Sequence, residues 1–223
     1  MDDEAVAPAR IREYAEQAIA YVQRALGVRL EYDSDTLPVL DHYLRTVPTN
    51  RPVEGDDDGD APEVKPSIAG EQTAAVQLVL ATAGAYFGEV VRRRNGGRWE
   101  LGDDQSEWRV VLPTGLNFSP IGFVAAAIAQ ADLDDLDTEL DAPLRMQPYV
   151  KQTLDRMGEV TVDEYYSLCG RLDTLEHVHE VLVAVAAQML GDAAEEDAGG
   201  GEGGEGAGTV VEPVADEPSD GVN

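Results

Sequence analysis

The side chains with the greatest capacity for recognition chemistry lie in one segment of the chain, residues 84–101. This segment ends an apolar helix and begins a strand, and it carries several arginines although the chain as a whole is acidic. A guanidinium group forms paired hydrogen bonds with carboxylates and phosphates, and it also stacks on aromatic rings. We therefore predict a binding site for an acidic partner segment or an anionic ligand, made of Tyr86, Glu89, Arg92, Arg93, Arg98 and Trp99.

A purely structural role accounts for part of the same pattern. Glu89 and Arg93 are one helical turn apart in the favourable order, so an ion pair between them contributes about 0.2–0.5 kcal/mol. Arg92, Arg93 and Arg94 also lie at the C-terminal end of the predicted helix, where cations interact favourably with the helix dipole. The sequence alone leaves both interpretations open.

Metal and cofactor sites are not indicated. The glycines of residues 84–97 lie inside or after a helix, so they match neither a dinucleotide-binding fingerprint nor a phosphate-binding loop. His177 and His179 are about 200° apart around a helix and cannot share an ion. Glu176 and His179 form half of a di-iron motif without a second copy, and the acidic run 56–60 lacks calcium-loop spacing.

The competing hypothesis is an enzyme. Its site would be assembled from Tyr86, Glu89, His42 and Arg98 across the core, in a pocket where Glu89 is buried and unpaired. The sequence offers no nucleophile motif beside His42. We therefore predict no catalytic residue, no metal and no cofactor, and we keep the enzyme as the alternative.

The charge of the chain limits its partners. The formal net charge is -28 at pH 7, of which residues 1–190 carry -18. Such a field repels nucleic acids and anionic membranes, so we predict direct binding to neither. The chain has fourteen arginines and two lysines, which is typical of genome-wide bias or adaptation to salt. An acidic mimic of nucleic acid is the second alternative.

Three features of the sequence indicate the cellular compartment of the protein. Cys169 is the single cysteine, which excludes an internal disulfide. The first residues are acidic, unlike the start of a secretory signal. The apolar run from Ala74 to Gly88 is interrupted by Gln77 and is too short to span a bilayer. We predict a cytoplasmic protein without a membrane segment.

Apolar periodicity and turn residues predict the order of elements. A first helix runs from Pro8 to Gly27, and a second is capped by Asp33 or Ser34. The central, mostly apolar helix is predicted over residues 71–94. Three strands are predicted to follow it, at residues 98–101, 107–112 and 115–118. Four further helices are predicted, from residue 120 onwards and at residues 144–157, 162–172 and 173–190.

These elements predict an α+β fold: a mostly helical single domain, residues 1–190, around a central apolar helix and a small antiparallel sheet. Residues 51–66 are rich in acids and proline and are predicted to form an acidic loop or linker. Residues 191–223 hold ten acids, no base and many glycines, and are predicted to be a disordered tail.

Two segments, residues 30–44 and 84–99, together resemble a family of uncharacterised bacterial proteins. The family pattern runs approximately "LDYSxxSLxxLDxxL … LGAYLGEVxxRxxGGxW", and this chain departs from it at Glu31 and Pro38. The resemblance implies a cytoplasmic bacterial α+β domain and transfers no catalytic residue. With the charge pattern, it favours a non-enzymatic protein that acts through contact with a protein partner; no oligomeric state is indicated.

Overall fold

The computed structural model describes residues 6–47 and 74–199. In these ranges the chain forms seven α-helices and a four-stranded antiparallel sheet, which confirms the predicted, mostly helical α+β class. The described residues up to Ala186 belong to one compact unit, and those from Ala187 onwards belong to a second unit. The predicted linker at 51–66 lies outside the described residues.

Helix α1 spans Ala9–Leu26 and has the predicted ends. It begins directly after Pro8, and Gly27 terminates it with a φ of 74°, a left-handed conformation that suits glycine. Its apolar residues recur at helical spacing and therefore form one buried face. That face consists of Ile11, Ala15, Ala18, Ile19 and Val22.

Helix α2, Leu37–Arg45, follows a 3-10 turn at Ser34–Thr36. The Asp33 carboxylate caps that turn by accepting a hydrogen bond of 3.0 Å from the backbone N–H of Thr36. Pro38 lies in the first turn of α2, where its missing N–H leaves no hydrogen bond unmade. The proline therefore fits the helix start rather than breaking its interior.

Helix α3, Ala74–Asn95, is the centre of the core. Every residue from Leu80 to Arg92 is buried, and α1 and α4 both pack against the helix. It is long and apolar enough to cross a membrane by composition alone, but 67% of its most apolar window is buried inside the protein. In this fold α3 is a core helix, as its all-round apolar character predicts.

The sheet is a simple meander in which each strand pairs with the next in antiparallel fashion. Three strands lie within the predicted segments. The fourth was not predicted because it is only two residues long and ends an acidic stretch; Leu140 pairs with Phe118. The strands are β1 Arg98–Glu100, β2 Arg109–Val111, β3 Asn117–Phe118 and β4 Leu140–Asp141.

Helix α4, Pro120–Ala129, is buried along its whole length. Its N-cap is Ser119, whose hydroxyl accepts a 3.1 Å hydrogen bond from the backbone N–H of Gly122.

Three helices complete the fold: α5 Gln147–Arg156, α6 Val162–Tyr166 and α7 Leu168–Gly199. Helix α6 has no buried residue and lies near α4.

The boundary between α6 and α7 differs from the prediction, which placed it near residue 172. The chain breaks at Ser167, whose hydroxyl caps α7 by accepting a 2.9 Å hydrogen bond from the backbone N–H of Gly170, and a residue distant in sequence adds a second cap. The buried carboxylate of Asp41 accepts hydrogen bonds from the backbone N–H groups of Leu168, at 2.7 Å, and Cys169, at 3.2 Å. Burial raises the pKa of the Cys169 thiol to about 12, and the neighbouring Asp41 adds to the rise, so the thiol stays protonated at physiological pH.

The end of α7 also differs from the prediction, which placed it near Leu190. The helix continues to Gly199 and so overlaps the start of the segment, residues 191–223, that the sequence predicts to be a disordered tail. Residues 192–198 are alanines, glutamates and aspartates, and alanine and glutamate favour helix. The composition of the whole segment is acidic and Gly-rich, but its first residues are of types that can extend a helix. Residues 200–223 lie outside the described residues.

Candidate functional site

Glu89 is a buried carboxylate that organises the predicted site. Its side chain is 2% exposed and accepts four hydrogen bonds from described residues. Arg92 binds both oxygens, through Nε to Oε2 at 2.8 Å and through Nη2 to Oε1 at 2.9 Å. Arg93 Nε donates to Oε1 at 2.7 Å, and Trp99 Nε1 donates to Oε2 at 3.2 Å. The carboxylate is therefore held from three sides.

Helical spacing and one tight turn produce this arrangement. Residues three and four positions apart lie on the same helix face, which brings Arg92 and Arg93 to Glu89. Beyond α3 the chain reverses through Gly96, whose φ is 68°, and β1 returns Trp99 towards the helix. The indole ring lies directly against Gly88, where a Cβ atom would collide with it.

Electrostatics keep Glu89 ionised. Burial by itself opposes the charge, but the hydrogen bonds from Arg92, Arg93 and Trp99 more than offset that effect, so the pKa of the carboxyl lies below its usual value. Arg92 is also buried, and its hydrogen bonds to Glu89 raise its pKa. The pair is consequently an ionised, side-on guanidinium–carboxylate contact inside the protein.

An aromatic pair supports the outer side of the network. The guanidinium carbon of Arg93 lies 4.0 Å from the ring centroid of Tyr32, a cation–π contact. The Tyr32 ring stacks in turn on Tyr86, with 5.0 Å between centroids. We call Tyr32, Tyr86, Glu89, Arg92, Arg93 and Trp99 the Glu89 cluster.

Tyr32 has an unusual backbone conformation. Its φ of 58° lies in the left-handed region, which a bulky side chain rarely adopts. The Tyr86 hydroxyl stabilises this conformation by accepting a hydrogen bond of 3.0 Å from the backbone N–H of Tyr32, and it lies 3.1 Å from the Thr36 hydroxyl. Burial raises the pKa of both tyrosines, so both rings are neutral at physiological pH.

Arg93 is the most exposed member of the cluster, since Tyr32 and Trp99 are half-buried and the others are buried. Its side chain is 45% exposed, whereas that of Arg92 is 10% exposed. Among the described residues its only hydrogen-bond acceptor is Glu89, which it contacts through Nε. Its two terminal amino groups therefore have donors available at the surface, while its orientation is fixed by Tyr32 and Glu89.

Arg98 does not join the cluster, and its assignment to the predicted site is corrected. Successive residues of a strand point to opposite faces, so Trp99 faces α3 while Arg98 faces away. Arg98 bonds to Glu100, the next residue on its own face, with 2.6 Å between Nη2 and Oε1. Arg94 is also directed elsewhere, to Glu176 on α7 and to Ser34.

The enzyme alternative assumes one specific geometry, an unpaired Glu89 in a pocket with Tyr86, His42 and Arg98, and the described residues do not form it. The enzyme alternative needs Glu89 to be unpaired, but both its oxygens are engaged. His42 is exposed on α2. Two open clefts, of about 510 and 580 Å³, are lined by residues other than those of the Glu89 cluster. Within residues 6–47 and 74–199, no three metal-binding side chains lie together.

Sequence reasoning missed Tyr32, which is more than fifty positions from the rest of the cluster. No local pattern marks it, since its role depends on the packing of the turn before α2 onto α3.

Comparisons with protein-family models, with curated proteins and with solved structures find no match to this chain. The resemblance to the bacterial family stays a prediction, and the site geometry carries the functional inference.

Proposed function

We propose that this protein is non-enzymatic and acts in the cytoplasm by binding a protein partner, whose acidic side chain bonds to Arg93. One observation carries the proposal: the guanidinium of Arg93 is fixed on the Tyr32 ring and by Glu89, yet its terminal amino groups have no acceptor among the described residues. The two terminal nitrogens of an arginine can hold one carboxylate through paired hydrogen bonds.

Preorganisation favours this contact. An arginine that is free in solvent loses side-chain entropy when it binds, whereas Arg93 is already oriented by two neighbours.

The surroundings of Arg93 restrict the partner further. Glu16 lies 3.3 Å from the Tyr32 hydroxyl, and the charges of Glu31 and Asp33 act on Tyr86. A strongly acidic partner segment would be repelled by these groups and by the net charge of the chain. We infer a partner that presents one carboxylate flanked by basic or neutral residues.

Replacing Arg93 by glutamine should abolish or weaken capture of the partner. Hydrogen bonds to charged groups contribute about 1.5–3 kcal/mol, so the dissociation constant should rise by roughly 10- to 150-fold. The experiment is affinity capture from the native host with quantitative mass spectrometry, followed by a binding isotherm on the captured protein. Arg98→Gln is the matched control, because the Arg98 side chain is 46% exposed but lies outside the cluster.

Three outcomes can be distinguished. Loss of the partner with Arg93→Gln and retention with Arg98→Gln supports the proposal. Equal loss with both variants indicates a general charge effect, and retention with both shows that Arg93 is not the contact. Either of the last two results overturns the proposal.

A further inference from the structure

A second arginine, Arg171, is buried in a different part of the protein. It lies in the first turn of α7 and is 8% exposed. Its guanidinium carbon is 4.7 Å from the ring centroid of Phe123 and 4.6 Å from that of Tyr165, and the ring of Tyr166 is 5.6 Å away. The charged group is therefore enclosed by aromatic rings.

These rings stabilise the positive charge but cannot satisfy its hydrogen bonds. Ring faces attract a cation through their quadrupole, whereas the N–H groups require acceptors in the guanidinium plane. Arg171 Nε and Nη2 are both buried, and neither has a hydrogen-bond partner among the described residues. A buried charge without acceptors is costly, and natural proteins rarely retain one.

The two unpaired nitrogens are on one edge of the guanidinium group. The same edge of Arg92, also Nε and Nη2, is filled by the two oxygens of Glu89. The Nε–Nη2 edge of Arg94 is likewise filled by the two oxygens of Glu176. The same edge of Arg171 is buried and has no acceptor among the described residues, so a carboxylate is the group that we expect it to bind.

We propose that Arg171 binds the carboxylate of a small monocarboxylate ligand side-on, beneath helix α6. A single guanidinium neutralises one negative charge, and the aromatic rings suit the apolar body of such a ligand. A phosphate dianion fits less well, because the Asp132 carboxylate acts on the adjacent Tyr166 and would repel a second negative charge. The site is separate from the Glu89 cluster and does not depend on the function proposed for it.

Helix α6 supplies the entrance. It is one short helix with no buried residue, and Tyr165, which covers the guanidinium from outside, is itself 48% exposed. The residues that precede it, 157–161, are all exposed. Segments with few buried contacts open at low free-energy cost, so an outward movement of α6 would remove the Tyr165 and Tyr166 rings from the guanidinium without unfolding the core.

The test is an NMR titration of the protein with acetate, following the Nε–Hε resonances of its arginines. Arg171 is assigned by the resonance that is lost in Arg171→Lys. We expect a saturable shift of this resonance with acetate and a much smaller one with chloride or inorganic phosphate at equal ionic strength. The Arg92 resonance should stay in place because Glu89 already fills its edge.

A stability measurement provides an independent readout. Acetate should raise the melting temperature of the wild-type protein, since a ligand that binds only the folded state stabilises it. Arg171→Met, which places an apolar side chain among the rings, should fold and should lose the increase. An unmoved Arg171 resonance, an equal response to phosphate, or an acetate-dependent increase that persists in Arg171→Met would each overturn the proposal.

Discussion

Replacing Glu89 by alanine should lower the free energy of unfolding by about 3–5 kcal/mol, because removing one partner of a buried ion pair leaves the other charge uncompensated. Here Arg92, whose side chain is 10% exposed, loses its paired hydrogen bonds to Glu89. Arg93 and Trp99 lose an acceptor at the same time. Equilibrium unfolding in denaturant measures the change.

Glu100→Ala is the matched control. Glu100 also pairs with an arginine, Arg98, but its side chain is 56% exposed, and surface pairs contribute about 0–1 kcal/mol. The double variant Glu89→Met with Arg92→Met should recover part of the loss, since it removes both members of the buried ion pair rather than one. If Glu89→Ala is no more destabilising than Glu100→Ala, Glu89 does not organise the cluster.

Replacing Gly88 by alanine should cost about 1–3 kcal/mol through overpacking. A Cβ at this position would collide with the outer ring of Trp99 and lie 2.9 Å from Cγ of Pro120. Displacement of the indole would also break its hydrogen bond to Glu89. Unfolding in denaturant measures the loss of stability, and the NMR resonance of the Trp99 indole N–H reports the loss of its hydrogen bond.

A double-mutant cycle separates this collision from the general effect of adding a methyl group. Trp99→Leu removes the ring, so Gly88→Ala should be less costly in that background than in the wild type. Gly158→Ala is a control at a position with no neighbour within 4 Å. Equal costs in the two backgrounds would show that the indole does not press on Gly88.

Part of the Glu89 cluster could be predicted because its contacts are local. The spacing of Glu89, Arg92 and Arg93 along one helix fixes their proximity, whatever the rest of the fold does. Arg98 is close to the cluster in sequence but does not join it, because its side chain bonds to Glu100. The alternation of side chains along a strand already separates it from Trp99.

The remaining site residues depend on contacts between distant segments. Tyr32 reaches the cluster through its stacking on Tyr86, and its left-handed backbone carries no marker in the sequence. Arg171 is one arginine in a helical pattern, and only the packing of α4, α6 and α7 buries it. Local periodicity contains no information on either arrangement.

The same distinction applies to the fold. Helices with strong apolar periodicity and local caps, such as α1 between Pro8 and Gly27, were predicted with their ends. The start of α7 differs from the prediction, which does not include the local cap by Ser167 or the second cap that Asp41 supplies from a distant part of the chain. Strand β4 is defined only by its pairing with β3. A sequence pattern does not predict the helix and strand boundaries that tertiary contacts determine.

The most direct test of the account is a carbon-13 NMR titration of the Glu89 side-chain carboxyl. If this carboxylate is the ionised centre that orients Arg93, its titration midpoint must lie below the usual glutamate value of about 4.3. The stability it contributes is then present above that usual value and is lost as the pH falls through the lower, folded-state midpoint. A midpoint at or above the usual value would contradict the account, because it would mean that the three donors do not hold a charged carboxylate.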